Sequence, residues 1–344
     1  MTSSVEIWRW FGGLSLLIVA AIVSAVLALL LRPLLARYAL ARPNARSSHK
    51  TPTPQGAGIA VIASTFGVAF LVLLAASVYG PDISVSLWTV FAATVLIAVV
   101  GAVDDIRNIA IVPRLFLQTI AVAAVIVALP DDLRAIPLLP LWLERAVLLL
   151  AGVWFVNLVN FMDGIDWMTV AEVVPVTAGF ALIGALVGLP PAAMIVALAL
   201  LGAVLGFAPF NRPVAQMFLG DVGSLPIGLL LFWLLVVMAG SAHIAAALIL
   251  PLYYVADATL TLLRRMRDHE PFWQAHRTHF YQRATDRGYT VTEVVARVFA
   301  TNIALVALAL FTVLVPGIAS AFVALACAAA LVGWLLFVLA RGKR

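Results

Sequence analysis

Long runs of apolar residues alternate with short polar segments along the whole chain. Many of the runs reach the ~20 residues that an α-helix needs to cross a bilayer. Only a helix satisfies its own backbone hydrogen bonds in lipid, so each run predicts a membrane-spanning helix. The pattern predicts eleven spans, at residues 8–31, 57–78, 86–103, 113–129, 143–160, 169–188, 190–208, 225–239, 243–263, 293–315 and 317–340.

The links between the predicted spans differ in length. Proline and glycine stop one helix and start the next near Pro190-Pro191 and near Pro316-Gly317, which predicts a tight hairpin at both places. The longest polar segments are residues 32–56, 209–224 and 264–292. We expect the chemistry of the protein to concentrate in these three segments.

Composition supports the same fold class. Of 344 residues, 64% are hydrophobic and 11% are charged, and the mean hydropathy is +1.12. These values exclude an ordinary soluble domain and predict one all-α polytopic membrane domain over residues 1–344. Nothing in the sequence indicates a nucleic-acid-binding module. The single cysteine, Cys327, lies in the last span, so disulfides and cysteine-ligated metals are excluded.

The basic residues predict the orientation, because lysine and arginine are retained on the cytoplasmic side. One set of alternate loops, together with the C-terminal tail, holds 18 of the 21 basic residues. The other three are Arg9, Arg134 and Arg145. The N-terminus is therefore predicted outside and the C-terminus in the cytoplasm, with the three long polar segments on the cytoplasmic side. Their positive charge suits anionic headgroups and phosphate substrates.

The segment NLVNFMDGID, residues 157–166, carries the most informative chemistry. Asn160, Asp163 and Asp166 recur every third residue, so on a helical end they share one face and can converge on a cation. Ionisable groups near bilayer depth cost about 2.5 to 3.5 kcal/mol each, so such a cluster predicts function. The segment indicates metal and phosphate chemistry at a membrane surface.

Two more acidic sites lie at comparable helix ends. Asp104-Asp105 ends the third span and Arg114 starts the fourth. The two carboxylates are interpreted as a magnesium contact or as a base, with a solvated helix end paired to Arg107 as the alternative. Asp221 lies among glycines in FLGDVGS, where a helix start can bind phosphate and a carboxylate can hold magnesium; a structural N-cap is the alternative.

Two polar loops add basic groups. The segment HRTHFYQR brings together His276, Arg277, His279 and Arg283, which predicts phosphate binding and proton transfer. A transition-metal site and a basic patch for lipid headgroups are its alternatives. In the first loop, Arg46 and His49 form a weaker signal that a simple linker would also explain. Three isolated polar residues are interpreted as structural: Glu172, His243 and Asp257.

Taken in order, these motifs resemble the polyprenyl-phosphate N-acetylhexosamine-1-phosphate transferases. This family includes the phospho-MurNAc-pentapeptide translocase and the initiators of O-antigen and teichoic acid synthesis. The resemblance covers nearly the whole chain and rests on the segments PNARSSHKTPTPQGAG, AVDD, PRLFLQ, NFMDGID, FLGDVGS and HRTHFYQR. The HRTH stretch is similar to the branch that uses smaller sugar nucleotides, because the translocase has three consecutive histidines there.

The resemblance implies a role for each motif. The family's magnesium ligands, for which manganese is an alternative ion, correspond to Asn160 and Asp221. The catalytic residues that it implies are Asp104, Asp105, Asp163, Asp166 and His279. The candidate substrate-binding residues are Arg46, His49, Arg114, Asn157, Trp167, His276, Arg277 and Arg283.

Two positions depart from the family pattern. Gln55 stands where bacterial relatives often have arginine, and Trp167 stands where glycine is common. We expect Trp167 to reshape the sugar or uridine pocket and leave the metal ligands intact. The identity of the sugar therefore does not follow from the resemblance.

The resemblance implies transfer of a sugar-1-phosphate from a UDP-N-acetylhexosamine to undecaprenyl phosphate, with release of UMP. It also implies a multi-pass protein of the bacterial inner membrane that starts a lipid-linked surface glycan, and it is compatible with a homodimer. A transporter of an anionic lipid or nucleotide is the main alternative, although the acids lie at helix ends and not at the membrane midplane. An intramembrane aspartyl protease would need two acids that face each other within spans.

Overall fold

A computed structural model describes residues 2–41, 52–77, 85–270 and 276–343. Within these ranges the chain forms thirteen α-helices and one two-stranded sheet. The first seven helices are α1 (Thr2–Tyr38), α2 (Gly58–Ser77), α3 (Val85–Arg107), α4 (Ile111–Val127), α5 (Leu141–Met162), α6 (Met168–Val187) and α7 (Pro191–Phe207). The others are α8 (Asp221–Met238), α9 (Ile244–Ile249), α10 (Leu252–Arg267), α11 (Phe280–Asp286), α12 (Val291–Leu314) and α13 (Ile318–Arg341). The strands are β1 (Leu40–Ala41) and β2 (Thr53–Pro54).

The helices confirm an all-α membrane fold. Among the described residues, nine helical stretches are long and apolar enough to cross a bilayer, and α4 is a shorter apolar helix. Each of the eleven predicted spans overlaps at least one helix. Tight links between α6 and α7 and between α12 and α13 are confirmed at Gly188–Pro190 and Val315–Gly317. The number of crossings and their orientation stay predictions.

Four features differ from the hydrophobic pattern. Helix α8 begins at Asp221, four residues before the predicted span, because the capped first turn is polar. The ninth span is divided between α9 and α10 at Pro251, whose ring removes a backbone donor. Helix α11 and the β1–β2 pair were not predicted, since seven-residue and two-residue elements are too short to show a period.

Helix α8 is the centre of the bundle. Every residue from Val222 to Met238 is buried, and α8 packs against α2, α3, α5 and α6. Gly101 permits the close packing of α3 on the start of α8, because a Cβ atom there would collide with the backbone of Asp221. The start of α8 is thereby held against the end of α3.

Backbone hydrogen bonds join the first polar segment to the third. The N–H groups of Gly56 and Ala57 donate to the Phe218 carbonyl at 3.1 and 3.0 Å, and the Phe218 N–H donates to the Pro54 carbonyl at 2.8 Å. The segment after β2 therefore lies along the chain that enters α8. This pairing gathers the polar ends of α3, α5 and α8 on one side of the bundle.

Candidate active site

Asn160 and Asp221 meet at the centre of this polar side. The Asn160 amide nitrogen donates to Asp221 Oδ1 at 2.8 Å and to the Ser224 hydroxyl at 2.9 Å. Asn160 is in the last turn of α5, and Asp221 and Ser224 are in the first turn of α8. A carboxylate fixes the nitrogen, and the side-chain oxygen of Asn160 has no hydrogen-bond partner among the described residues, so it can take a ligand. The structure thus brings together the two residues that the resemblance implies as metal ligands.

Asp105 holds the start of α8. Its carboxylate accepts the backbone N–H groups of Asp221 at 2.9 Å and Val222 at 3.1 Å, and the Gln55 amide at 2.5 Å. These are the donors that a helix start leaves unpaired, so Asp105 acts as a cap supplied by α3. Asp221 itself is not a cap, because the residue before the helix is Gly220.

Asp104 lies beside Arg114 and not beside Arg107. Arg114 donates to Asp104 Oδ2 at 2.6 Å, and the same nitrogen lies 3.5 Å from Asp221 Oδ2. The other oxygen of Asp104 accepts the Ile109 N–H at 2.5 Å. One guanidinium therefore stands between an acid of α3 and the first residue of α8, where it can pair with an incoming phosphate.

The turn after α5 places Asp163 and Asp166 differently. Asp163 accepts the Thr169 hydroxyl at 2.5 Å. Burial raises the pKa of Asp163 to about 6, and the nearby carboxylates of Asp105 and Asp166 add to the rise. Asp166 is buried and accepts the Ala215 N–H at 2.9 Å. The prediction that all three polar residues of NFMDGID face one cluster is therefore only partly met, because Asp166 points toward the segment before α8.

Trp167 forms a wall of the same region. Its backbone is left-handed, with φ 63°, and its N–H donates to Asn211 Oδ1 at 2.8 Å. The indole N–H donates to the Ala208 carbonyl at 2.6 Å, and the Asn211 amide donates to the Met217 carbonyl at 3.0 Å. Trp167 therefore ties the NFMDGID turn to the loop that enters α8.

Asn157 lies one turn before Asn160 and contacts α4. Its amide nitrogen donates to the Val153 carbonyl and to Gln118 Oε1, both at 2.8 Å. A carbonyl only accepts, which fixes the direction of both amides. The Gln118 nitrogen is buried and has no hydrogen-bond partner among the described residues.

The basic loop is only partly free to bind anions. Arg277 pairs with Asp286 at 3.1 Å and donates to Thr285 at 3.2 Å, which braces α11. Burial and the nearby Arg264 and Arg287 lower the pKa of Arg283, which has no ion pair within the described part of the chain. Concentrated positive charge of this kind attracts phosphate.

The two histidines of this loop are stacked. The rings of His276 and His279 lie 4.9 Å apart. His276 contacts the Thr278 hydroxyl at 3.0 Å, whereas His279 is buried and contacts Asp257 at 3.2 Å. The Phe161 ring, which follows Asn160, lies 6.4 Å from that of His279. The loop therefore lies beside the end of α5.

Sequence reasoning missed most of the residues that support these groups. Arg46 and His49 lie outside the described residues, so their placement stays a prediction. Gln55 stood out only as a departure from the family pattern, and the other supporting side chains have no pattern of their own: Gln118, Thr169, Asn211, Ser224 and Asp257. The one available signal was that they lie inside or beside the sequence segments that carry the family resemblance. Asp257 does not lie near such a segment.

The donor set fits a magnesium ion that is completed by substrate. Among the described residues, no three His, Cys, Asp or Glu side chains group closely enough to hold a metal by themselves. Magnesium usually takes one or two protein carboxylates, waters and substrate phosphates. Asp221 and the free oxygen of Asn160 supply this kind of partial, oxygen-only set. A histidine-ligated transition-metal site has less support, because a nitrogen of each histidine already contacts a protein group.

Comparisons with known proteins agree with this arrangement. Residues 87–239 match the model of glycosyl transferase family 4. The decaprenyl-phosphate N-acetylglucosaminephosphotransferase of Mycobacterium tuberculosis (strain H37Rv) is 29% identical over 303 residues, which cover 76% of this chain and 72% of that protein. The enzyme of the same name from Mycobacterium leprae (strain TN) is 28% identical over 303 residues, with 76% and 73% covered.

The fold and the polar cluster define a polytopic membrane enzyme of sugar-phosphate transfer. The chain is similar to glycosyl transferase family 4 over residues 87–239 and to the mycobacterial enzymes over most of its length, and these matches support the resemblance to the polyprenyl-phosphate N-acetylhexosamine-1-phosphate transferases. These matches do not support the transporter and protease alternatives.

Proposed function

We propose that this enzyme transfers an N-acetylhexosamine-1-phosphate from a UDP-sugar to undecaprenyl phosphate and releases UMP. The observation that carries the proposal is the contact between Asn160 and Asp221 with Arg114 beside it, since this cluster combines oxygen ligands with a phosphate-binding cation. The names of the relatives specify a polyprenyl phosphate and N-acetylglucosamine phosphate transfer. Their acceptor is decaprenyl phosphate, so the acceptor length needs its own test.

Magnesium, with manganese as the alternative, would be held by Asp221 and the Asn160 oxygen. A bound divalent ion would neutralise diphosphate charge and orient the phosphates for in-line displacement. Ser224 accepts a hydrogen bond from the same Asn160 nitrogen, so it would help to keep the Asn160 oxygen available to a bound ion.

The two adjacent acids have separate roles in this proposal. Asp105 accepts three N–H groups and keeps α8 in place. Asp104 is paired with Arg114, and an incoming phosphate can replace Asp104 as the partner of this guanidinium. When Arg114 turns to the lipid phosphate, Asp104 is released to accept its proton or to orient its oxygen. We therefore assign the base to Asp104.

The acids of the NFMDGID turn are assigned to the donor substrate. Asp163 lies three residues after Asn160, and its ionised form would keep the ligand cluster negative and hydrated. Asp166 and Trp167 join the turn to the loop that contains Asn211 and Ala215, which makes a wall for the sugar or the uridine. Asn157 is assigned to substrate binding at the membrane side of the same cluster.

The basic loop is assigned to the donor diphosphate. Arg283 and His279 are the first contacts in this assignment, because Arg277 pairs with Asp286. His276 stacks on His279 and would limit its motion. Arg46 and His49 stay substrate-binding candidates from the sequence alone.

The membrane position fits an isoprenoid acceptor. The polar cluster lies at one end of a bundle whose described helices are long and apolar, so a lipid tail can remain in the bilayer while its phosphate reaches Arg114. We propose the cytoplasmic side of a bacterial inner membrane, and the first step of a lipid-linked surface glycan, as the setting. A homodimer remains compatible with the proposal.

The test is UMP release from purified protein in detergent. Undecaprenyl and decaprenyl phosphate are each combined with magnesium and a panel of UDP-N-acetylhexosamines, with and without a chelator. We expect UMP from one preferred donor, dependent on both the lipid and the metal. Absence of UMP with every donor, from folded protein beside an active control enzyme, would contradict the proposal.

A further inference from the structure

Asp257 is a completely buried carboxylate in the middle of α10. It accepts two hydrogen bonds from its own helix, from the hydroxyls of Tyr253 at 3.2 Å and Thr261 at 3.3 Å. A buried charge is costly unless it is hydrogen-bonded, so its partners show what it holds in place. The more informative partners come from a different element.

Three donors reach Asp257 from the start of α11. They are the His279 ring nitrogen Nδ1 at 3.2 Å, the Phe280 N–H at 3.0 Å and the Tyr281 N–H at 3.3 Å. Asp257 thus satisfies two backbone donors that a helix start leaves unpaired and also binds the side chain of the residue before the helix. The carboxylate fixes both α11 and the imidazole of His279.

This contact determines which ring nitrogen of His279 can contact a substrate. A carboxylate only accepts, so Nδ1 must carry the hydrogen that points to Asp257. Nε2 is then the nitrogen that can meet a substrate. The ring stacks with that of His276, with ring centres 4.9 Å apart, and with that of Tyr281, with ring centres 5.7 Å apart.

The same anchor reaches the turn after α5. The Tyr281 hydroxyl donates to the Phe161 carbonyl at 3.0 Å, and Phe161 adjoins Asn160. The chain of contacts therefore runs from Asp257 through Tyr281 to the element that carries the proposed metal ligand. A side chain with a purely local role in α10 would need only Tyr253 and Thr261.

We infer that Asp257 is a positioning residue for sugar-phosphate transfer, which holds His279 with Nε2 directed at the substrate phosphates. The inference rests on the proposed function. It replaces the interpretation of Asp257 as an isolated structural acid.

The kinetic test is a double-mutant cycle with Asp257→Asn and His279→Gln. An asparagine points its NH₂ group at the Phe280 or the Tyr281 N–H in either orientation, so it must disturb the contact. We expect each single variant to lose about 10- to 100-fold in the same kinetic parameter, and the double variant to lose little more. Thr261→Val is the matched control, because it removes one bond to Asp257 without touching His279; we expect near-normal turnover.

Losses that multiply in the double variant would overturn the inference, because Asp257 would then act independently of His279. An inactive wild-type protein would instead contradict the proposed function. If Asp257→Asn does not fold, ring-¹⁵N NMR of the wild-type protein decides the question, with His279→Gln used to assign the signal among the 5 histidines. We expect the hydrogen of neutral His279 on Nδ1, and a hydrogen on Nε2 would overturn the inference.

Discussion

The amide nitrogen of Asn160 lies 2.8 Å from a carboxylate oxygen of Asp221, although 61 residues separate them along the chain. Helices α5 and α8 pack along their lengths, so the contact is set by the buried core. The first testable consequence concerns magnesium. Asp221→Ala should abolish transfer without preventing membrane insertion, because the remaining amide cannot replace a charged ligand.

Ser224→Ala is the matched variant for this prediction. It removes only the second acceptor of the Asn160 nitrogen, so we expect the magnesium concentration for half-maximal UMP release to rise about 10-fold, as for an outer-shell partner of a ligand. Magnesium titrations of both variants give the comparison. Near-normal turnover of a folded Asp221→Ala protein would contradict the assignment of Asp221 as a magnesium ligand.

Asp104 and Asp105 should respond differently to the same substitution. Asp105→Asn should lower the melting temperature, because loss of a helix cap costs about 0.5 to 2 kcal/mol, and activity should fall with it. Asp104→Asn keeps an oxygen that can accept the Ile109 N–H, so it should lower the melting temperature less and lose about 100-fold or more in turnover, as expected for loss of a general base. Gln55→Ala removes one donor to Asp105 and leaves its two backbone donors, so it is the mild control. Equal melting temperatures for the Asp104 and Asp105 variants would contradict this division.

Trp167→Gly tests donor specificity. Glycine accepts the left-handed backbone at φ 63° more readily than tryptophan, so we expect the fold to survive the loss of the indole bond to Ala208. The open wall should then change the ranking of UDP-N-acetylhexosamines by kcat/KM. Asn211→Ala tests the same wall from the other side, because it removes the acceptor of the Trp167 N–H. An unchanged ranking of donors in Trp167→Gly would show that Trp167 does not line the sugar or uridine pocket.

Much of the fold could be predicted from the sequence, because the length of an apolar run indicates a membrane-spanning helix. The main polar groups could be predicted because charged residues are rare in and near such helices. Asn160, Asp163 and Asp221 were named as candidates in this way. The connections between them could not be predicted. That Asp105 caps α8 depends on a contact across 116 positions, and the role of Asp257 depends on α11, whose seven residues show no period. Both are consequences of packing between distant helices.

The raised pKa of Asp163 predicts a dependence on pH. Since burial raises this pKa from 3.8 to about 6, the carboxyl becomes protonated as the pH falls through about 6. We expect transfer at low magnesium to fall over the same interval, because the ionised form supports the cluster. A profile of kcat/KM against pH from 5 to 8 is the measurement, and a flat profile would show that the ionised form is not required.

The stability effect of Asp163 has the opposite sign. Between pH 4 and 6 the folded protein binds this proton more tightly than the unfolded chain, so its contribution to stability is lost as the pH rises through about 6. Asp163→Asn should therefore raise the melting temperature at pH 7.5 more than at pH 4.5. Asp132→Asn, at an exposed position in the loop after α4, is the control and should change neither.

Gly164 and Tyr281 form the last test, which concerns how α11 supports the NFMDGID turn. A Cβ atom on Gly164 would collide with the Tyr281 hydroxyl and lie 2.8 Å from the Gln282 amide nitrogen. Overpacking of this kind costs about 1 to 3 kcal/mol, so Gly164→Ala should lower both the melting temperature and UMP release. Gly67→Ala is the control, because no atom lies within 4 Å of its added Cβ.

Tyr281→Phe removes the atom that a Gly164 methyl group would meet first, at the cost of the hydrogen bond to the Phe161 carbonyl. Alone it should reduce activity modestly. Combined with Gly164→Ala it should restore part of the lost melting temperature, because the two substitutions relieve one shared contact and are therefore not additive. Melting curves and UMP release of the four proteins complete the cycle. Strict additivity would mean that the turn and α11 are positioned independently, and the link from Asp257 to the metal ligands would then end at His279.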